Sequence, residues 1–418
     1  MLALNTLRSI LAFTERSLFS LPPLETIEID TAHTKQARAL KHLLKLNHVN
    51  YAILWNERKF HNHAPHSLCS YYLLGANADQ LNRLYDVELK QLDPWVDSPG
   101  EISTFDWRDF LGKREYQRAF VDFFEDELVR HSYEWKKVVF HYMFSGREPL
   151  FNSLTADLGH PLIHLAYAFE VSSREVAMEA LSLTSVCYGT PHKYLDDPSY
   201  SKAQPSYTSN SPLEILSKVR ADKRLHNLFS TPGGHNTEAV FRDAEAVILD
   251  HWNALRVPAT TDDAMACLRE CQQAAVALLT ATLPTTNRST GDADAKYDFF
   301  FVHALTTSHA VRVLLPVVPV KFQMPLLRQW WLMTLAVYIG QLRPEINLDS
   351  VRKYDVGDQN WGDVVQKSLN GEYSTETHYI KAIRAMRDAA TTWKDPDQFY
   401  LKAAVKFADG FTGWGGFV

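Results

Sequence analysis

Four short stretches of this chain place imidazoles where water should be scarce: His61, His63 and His66 in FHNHAPHSL, His160 and His164 in GHPLIHLAYAFE, His303 and His309 in DFFFVHALTTSHA, and His378 in ETHYIKAIRAM. A buried imidazole needs a partner for each ring nitrogen, and an unpaired one is costly. These segments offer few carboxylates for the purpose, Glu170 and Glu376 being the nearest. A shared cation would serve several rings at once, because each neutral ring presents a lone pair. The competing reading is a set of ordinary core histidines bonded to backbone carbonyls. Spacing sharpens the metal reading: His160 and His164 share a face if a helix starts at His160, and Asn62 can cap a helix starting near His63, which puts His63 and His66 on one side.

Lys381 lies three residues beyond His378 and is flanked by Ile380, Ala382 and Ile383, so it points with that histidine toward an apolar interior. Desolvation favours the neutral amine. A neutral lysine can add carbon dioxide and become a carbamate, a carboxylate on a long arm that suits a hard or borderline metal. The plainer reading is a surface lysine whose stem alone is covered. Arg384, one turn further on, could pair with such a carbamate or with a developing phenolate; a salt bridge between helices is the favoured reading.

Positioning these groups falls to helices. Helical periodicity covers roughly 36–47, 64–75, 113–130, 161–170, 173–186, 213–229, 237–255, 262–282, 296–315, 322–343, 360–369, 376–392 and 396–408. Pro161 suits a first helical turn, and Ser172 with Glu175 fits a capping box. Short extended segments are expected at 22–33 and 48–55. Loops are expected at 91–108, at 187–212, which could gate a substrate path, and at 283–295; the C-terminal GFTGWGGFV reads as a packed tail. The fold class is mainly α: one large helical domain over 34–418, an N-terminal segment 1–33 packed on it, and at most a small strand pair near the N-terminus.

Composition removes other classes. The 418 residues carry 43 Lys+Arg against 49 Asp+Glu, net −6, with 46% hydrophobic residues, so a large core is available and a phosphate-backbone binder is disfavoured. No nucleic-acid partner is expected. Four cysteines without paired C-x-x-C spacing cannot make a disulfide framework and predict a reducing, cytoplasmic setting; Cys267 and Cys271 read as small buried side chains. Arg8, Glu15 and Arg16 interrupt the apolar N-terminus, leaving a surface helix or a weak leader, and no run is long enough to span a membrane. Dinucleotide-binding, P-loop, H-E-x-x-H and G-x-S-x-G signatures are absent from the sequence.

FHNHAPHSLCSYYLLGA, GHPLIHLAYAFE, DFFFVHALTTSHAVRVLLP and THYIKAIRAM, in that order, resemble the questin oxidase-like family over roughly residues 30–405. One departure is Ser67, where that family commonly has a second histidine. The resemblance implies an oxygenase that opens an anthraquinone-type ring of an aromatic polyketide with dioxygen, described for some members as Baeyer–Villiger-like. It also implies non-haem Fe(II) held by four histidines and a carboxylated lysine. Taking one histidine per motif assigns His63, His164, His303, His378 and Lys381 as ligands, with His61, His66 and His160 as alternates, and gives Lys381 the catalytic role. Five protein ligands leave one of six octahedral positions, so substrate should bind beside the metal, against aromatics such as Tyr71, Tyr72, Tyr167, Phe299, Phe300, Trp330 and Trp331. Alternatives are a metal-free Baeyer–Villiger oxidase using NADPH as reductant, a Zn(II) hydrolase, and a helical ligand-binding protein without activity.

Overall fold

A computed structural model describes residues 17–282 and 296–417, so the expectations for the first sixteen residues and for the 283–295 spacer lie outside it. Helices dominate: α1 (Lys35–Asn50), α2 (Ala64–Leu73), α3 (Ala78–Glu88), α4 (Gln117–Arg130), α5 (Trp135–Phe144), α6 (Ala156–Glu170), α7 (Arg174–Val186), α8 (Pro212–Ala221), α9 (His235–Asp243), α10 (Glu245–Ala254), α11 (Thr261–Thr280), α12 (Phe299–Leu314), α13 (Val320–Gly340), α14 (Trp361–Asn370), α15 (Thr377–Trp393) and α16 (Phe399–Gly410), with shorter turns between them. No helix among the described residues is long and apolar enough to cross a membrane.

Four of these helices form a closed cycle, α2 packing on α6, α6 on α12, α12 on α15, and α15 back on α2. Each member is buried on nearly all sides over the turns that meet; α12, for example, buries Phe300 through Val311 without a break, and α15 buries Thr377 through Met386. Around it pack α7 on α6, α11 and α13 on α12, and α16 on α15.

The extended segments are smaller than expected. Residues 48–50 finish α1, and only Leu54–Trp55 (β1) pairs with Phe60–His61 (β2), antiparallel. Described residues before 34 form no strand; Ile27 N–H donates to the Glu170 carbonyl at 2.8 Å, and Phe19 and Ile29 are buried. A second pair, unanticipated, joins Tyr297–Asp298 (β3) in parallel to Trp414–Gly415 (β4), tying the C-terminal tail to the start of α12.

The expected helix over 237–255 is broken at Ala244, whose φ of −141° leaves the helical region. The capping serine of α7 is Ser173, accepting from Val176 N–H, and not Ser172, which takes a left-handed φ of 49° to turn the chain. All four cysteines are buried and free.

Candidate metal centre

Each helix of the cycle presents one imidazole near its N-terminal end: His63 caps α2, His160 opens the regular part of α6, His303 lies in the second turn of α12, and His378 in the first turn of α15. Neighbouring rings repeat the neighbour order of the helices. Ring centroids are 5.0 Å apart for His63–His160, 4.9 Å for His160–His303, 5.0 Å for His303–His378 and 4.8 Å for His378–His63, a closed quadrilateral.

Local sequence sets this convergence. Asn62 Oδ1 accepts from Ala64 N–H at 3.0 Å and Pro65 occupies the first turn, which fixes the entry into α2 beside His63. Before His160 the chain runs through three left-handed residues, Asp157, Leu158 and Gly159. Gly159 is needed twice over: its φ is +77°, and a Cβ there would fall 2.3 Å from Thr307 Cγ2 on α12. The same turn brings the Asp157 carbonyl 2.6 Å from His160 Nδ1.

That contact identifies the tautomer. A carbonyl only accepts, so Nδ1–H donates and Nε2 is left with a lone pair; His303 repeats this, its Nδ1–H donating to the Phe299 carbonyl at 2.9 Å. His303 Nε2, His378 Nε2 and Lys381 Nζ find no hydrogen-bond partner among the described residues. His63 Nε2 and His160 Nε2 stand 3.0 Å apart. Two nitrogens bound cis to one metal at about 2.1 Å each would be about 3.0 Å apart.

The electrostatics also suit lone-pair donors. Burial holds His63, His66, His160, His303 and His378 well below the usual imidazole value, with the nearby Lys381 charge adding to the effect on each. Helix N-termini carry partial positive charge and push the same way. Lys381, 1% exposed, is itself lowered to about 7 by burial, against the opposing pull of Glu376 and Glu88. The donor set therefore fits a cation, and the lysine fits carbamate formation.

The structure brings together His63, His303, His378 and Lys381 of the set assigned by taking one histidine per motif, but His164 is not part of the group. Its Nδ1 lies 3.0 Å from His66 Nε2 and its Nε2 lies 2.8 Å from Glu179 Oε2. His160, an alternate, takes the fourth corner. His61 stacks on His160 at 3.9 Å but is drawn to Asp157 Oδ2 at 3.2 Å, with Cys187 Sγ at 3.7 Å and Arg114 on the same carboxylate. His309 faces Glu170 and Asp388 instead. Arg384 forms a buried interhelical pair with Glu170, not a partner for Lys381.

Sequence reasoning missed the second layer. His164 continues through Glu179 to His48 Nδ1 at 2.8 Å, and His48 Nε2 reaches Glu125 Oε1 at 2.8 Å, near the surface. Glu179 lies among Met178, Ala180 and Leu181, the one signal that could have flagged it. Glu88 accepts from Ser67 at 2.8 Å and from Thr377, bracing α2 against α15; burial raises its carboxyl.

Burial alone would lower His48, but Glu125 and Glu179 together raise it to about 10; Glu179, which burial would raise, is held at about 2 by His164 and His48. Protonated His48 stabilises the native state fully below its unfolded value of about 6.5, and that contribution is lost as pH rises through about 10. Urea midpoints of the wild type should therefore fall relative to those of His48→Gln between pH 6.5 and 10. Parallel curves would mean a neutral His48 in the native state. At the other end, the Glu179 contribution is present above about 4.5 and fades as pH drops toward 2.

A cavity of about 800 Å³ opens onto His61, His63 and His160, while His303, His378 and Lys381 sit behind them. Of the aromatics expected to line it, only Phe299 and Phe300 do; Trp330 is spent on the Ala304 carbonyl and Tyr167 on Ser70. Residues 189–195 do contribute a wall, as a 3-10 turn and the short helix Lys193–Asp196 rather than a bare loop.

In comparisons with known proteins, the questin oxidase-like family profile matches residues 60–386, the span that carries His63, His160, His303, His378 and Lys381. The chain belongs to the questin oxidase-like family. A Baeyer–Villiger oxidase of Pestalotiopsis microspora is 26% identical over 388 residues, 85% of this chain and 82% of that protein. A questin oxidase of Aspergillus terreus is 26% identical over 291 residues, 66% and 62% of the two chains, and one of Aspergillus fumigatus is 32% identical over 161 residues, 37% and 36%. As a questin oxidase-like protein the chain is an oxidoreductase.

Proposed function

We propose that this chain is a non-haem iron oxygenase of aromatic polyketide metabolism that cleaves a carbon–carbon bond of an anthraquinone-type ring with dioxygen. The observation that carries the reading is the quadrilateral of His63, His160, His303 and His378, in which Nε2 of His303 and of His378 find no partner among the described residues, Nε2 of His63 and His160 face each other at 3.0 Å, and Lys381 lies beside them with its Nζ unpartnered. These four rings and a Lys381 carbamate would hold Fe(II). Bound there, ferrous iron supplies one-electron chemistry with dioxygen, which neutral imidazoles alone cannot.

The remaining roles belong to the chain. The Asp157 and Phe299 carbonyls hold His160 and His303 in the tautomer that aims Nε2 inward. Phe299 and Phe300 on one side, with Leu332 and Met333 on another, give a flat polycycle apolar contact area beside His63 and His160 and keep bulk water out. The names of the relatives, questin oxidase and Baeyer–Villiger oxidase, support the substrate class and the reaction type.

The test is metal analysis of purified full-length chain made in iron-replete medium, with oxygen uptake on a hydroxylated anthraquinone. One iron per chain and oxygen uptake, both lost in Lys381→Ala, are the expected results. A metal-free chain that turns substrate over, with or without NADPH, overturns the iron reading.

A further inference from the structure

Two helices that pack against each other line the cavity. From α13 come Gln329, Leu332, Met333 and Ala336, spaced i, i+3, i+4, i+7, and from α9 come Thr237 and Phe241 on one face. The α13 stripe is apolar except for Gln329, which is only 1% exposed. Its Nε2 donates to the Phe151 carbonyl at 3.2 Å. Because that carbonyl can only accept, the amide cannot turn over, and its Oε1 is committed to the other direction. Gln329 Oε1 has no hydrogen-bond partner among the described residues, and neither has Thr237 Oγ1.

A buried carbonyl oxygen without a donor is expensive to maintain and is met rarely in folded proteins. Its place relative to the candidate metal centre gives it meaning. Met333, one helical turn along α13, lies against the Gly159 backbone, where a Cβ would be 3.5 Å from the Met333 sulfur, and Gly159 adjoins His160. Gln329 thus sits about 6 Å of helix rise from the residue that touches the ring-bearing turn.

We infer that Gln329 is a specificity-determining residue, its Oε1 accepting a hydrogen bond from a phenolic hydroxyl of the substrate and so setting which edge of the polycycle meets His63 and His160. This rests on the substrate class proposed above and adds to it: the substrate must carry a free hydroxyl on the ring edge that meets α13 at Gln329. A methyl ether at that position leaves Oε1 unpaired and is rejected, since a site built to pair a hydroxyl discriminates strongly against the analogue that lacks it. Thr237 Oγ1 on α9 can serve a second oxygen.

The test uses the full chain and two probes, 2-hydroxyanthraquinone and 2-methoxyanthraquinone, with binding read by quenching of tryptophan fluorescence. Wild type should bind the hydroxylated probe at least about tenfold more tightly. Gln329→Met, close in volume but without the amide, should lose that preference by weakening the hydroxylated probe alone. Equal affinity of wild type for both probes overturns the inference without any variant, so a variant that fails to fold does not protect it. A variant that weakens both probes equally also overturns it, because that is what loss of the Phe151 contact alone would do. If neither probe binds, the substrate class fails and the inference with it; if both bind equally, only the role of Gln329 fails.

Discussion

His160→Ala should empty the metal centre and lower turnover by more than about 100-fold, while His164→Ala should leave about one iron per chain. Second-layer partners of metal ligands already cost 10- to 100-fold when removed, so loss of a corner ligand should cost at least that. The two histidines lie on one helix, four residues apart, and both are buried. What separates them is occupancy: His160 Nε2 faces His63 Nε2, whereas both nitrogens of His164 are engaged, by His66 and by Glu179. The cost of His164→Ala should appear as lost stability, about 1–3 kcal/mol for the hydrogen bond taken from a buried carboxylate. Metal content with urea unfolding of both variants decides the matter. Metal lost from His164→Ala and retained in His160→Ala would return the ligand set to the one read from motif spacing.

Arg384→Met should be the most destabilising single change away from the centre, by about 3–5 kcal/mol. Arg384 and Glu170 are 3% and 5% exposed; NH1 donates to Oε2 at 3.0 Å, NH2 to Oε1, and NH2 also reaches Asp388 Oδ2 at 3.0 Å. Burial would push Glu170 up, yet Arg384 and His309 together hold it at about 2. Removing the guanidinium strands a carboxylate in the core with only His309, 3.5 Å away, to answer it. Replacing both members, as in Arg384→Met with Glu170→Leu, should recover a good part of the loss, because the penalty lies in the unpaired charge. Unfolding free energies of the wild type, the single and the double variant measure this. A single variant within 1 kcal/mol of wild type would show that water reaches Glu170.

Much of this was legible in the chain. Apolar periodicity gave the helices of the central cycle to within a few residues, and the imidazoles on them were conspicuous because few carboxylates accompany them. The start of a helix at His160 was readable from Pro161. Which of His160 and His164 points inward was not, since an i,i+4 pair shares a face and the choice depends on where Glu179 and His66 lie in three dimensions. The helices α3 and α5 escaped notice between loop-like stretches. Glu179, His48 and Gln329 were invisible because their partners are distant in sequence: the Gln329 amide is held by a carbonyl 178 residues away.

The quadrilateral joins segments as remote in the chain as His63 and His378. Contacts of that sequence separation pay the largest loop-closure entropy and form late. A cation held there would make the centre a checkpoint on folding: no fragment that stops short of α15 contains all of its groups, and a molecule that has failed to dock α15 has no corner at His378 and no lysine beside it. Any cation that binds all four rings favours the native state over every partly folded one. Within a population of newly made chains, loading would act as quality control, sealing the molecules in which α15 has docked and leaving the others open to proteolysis.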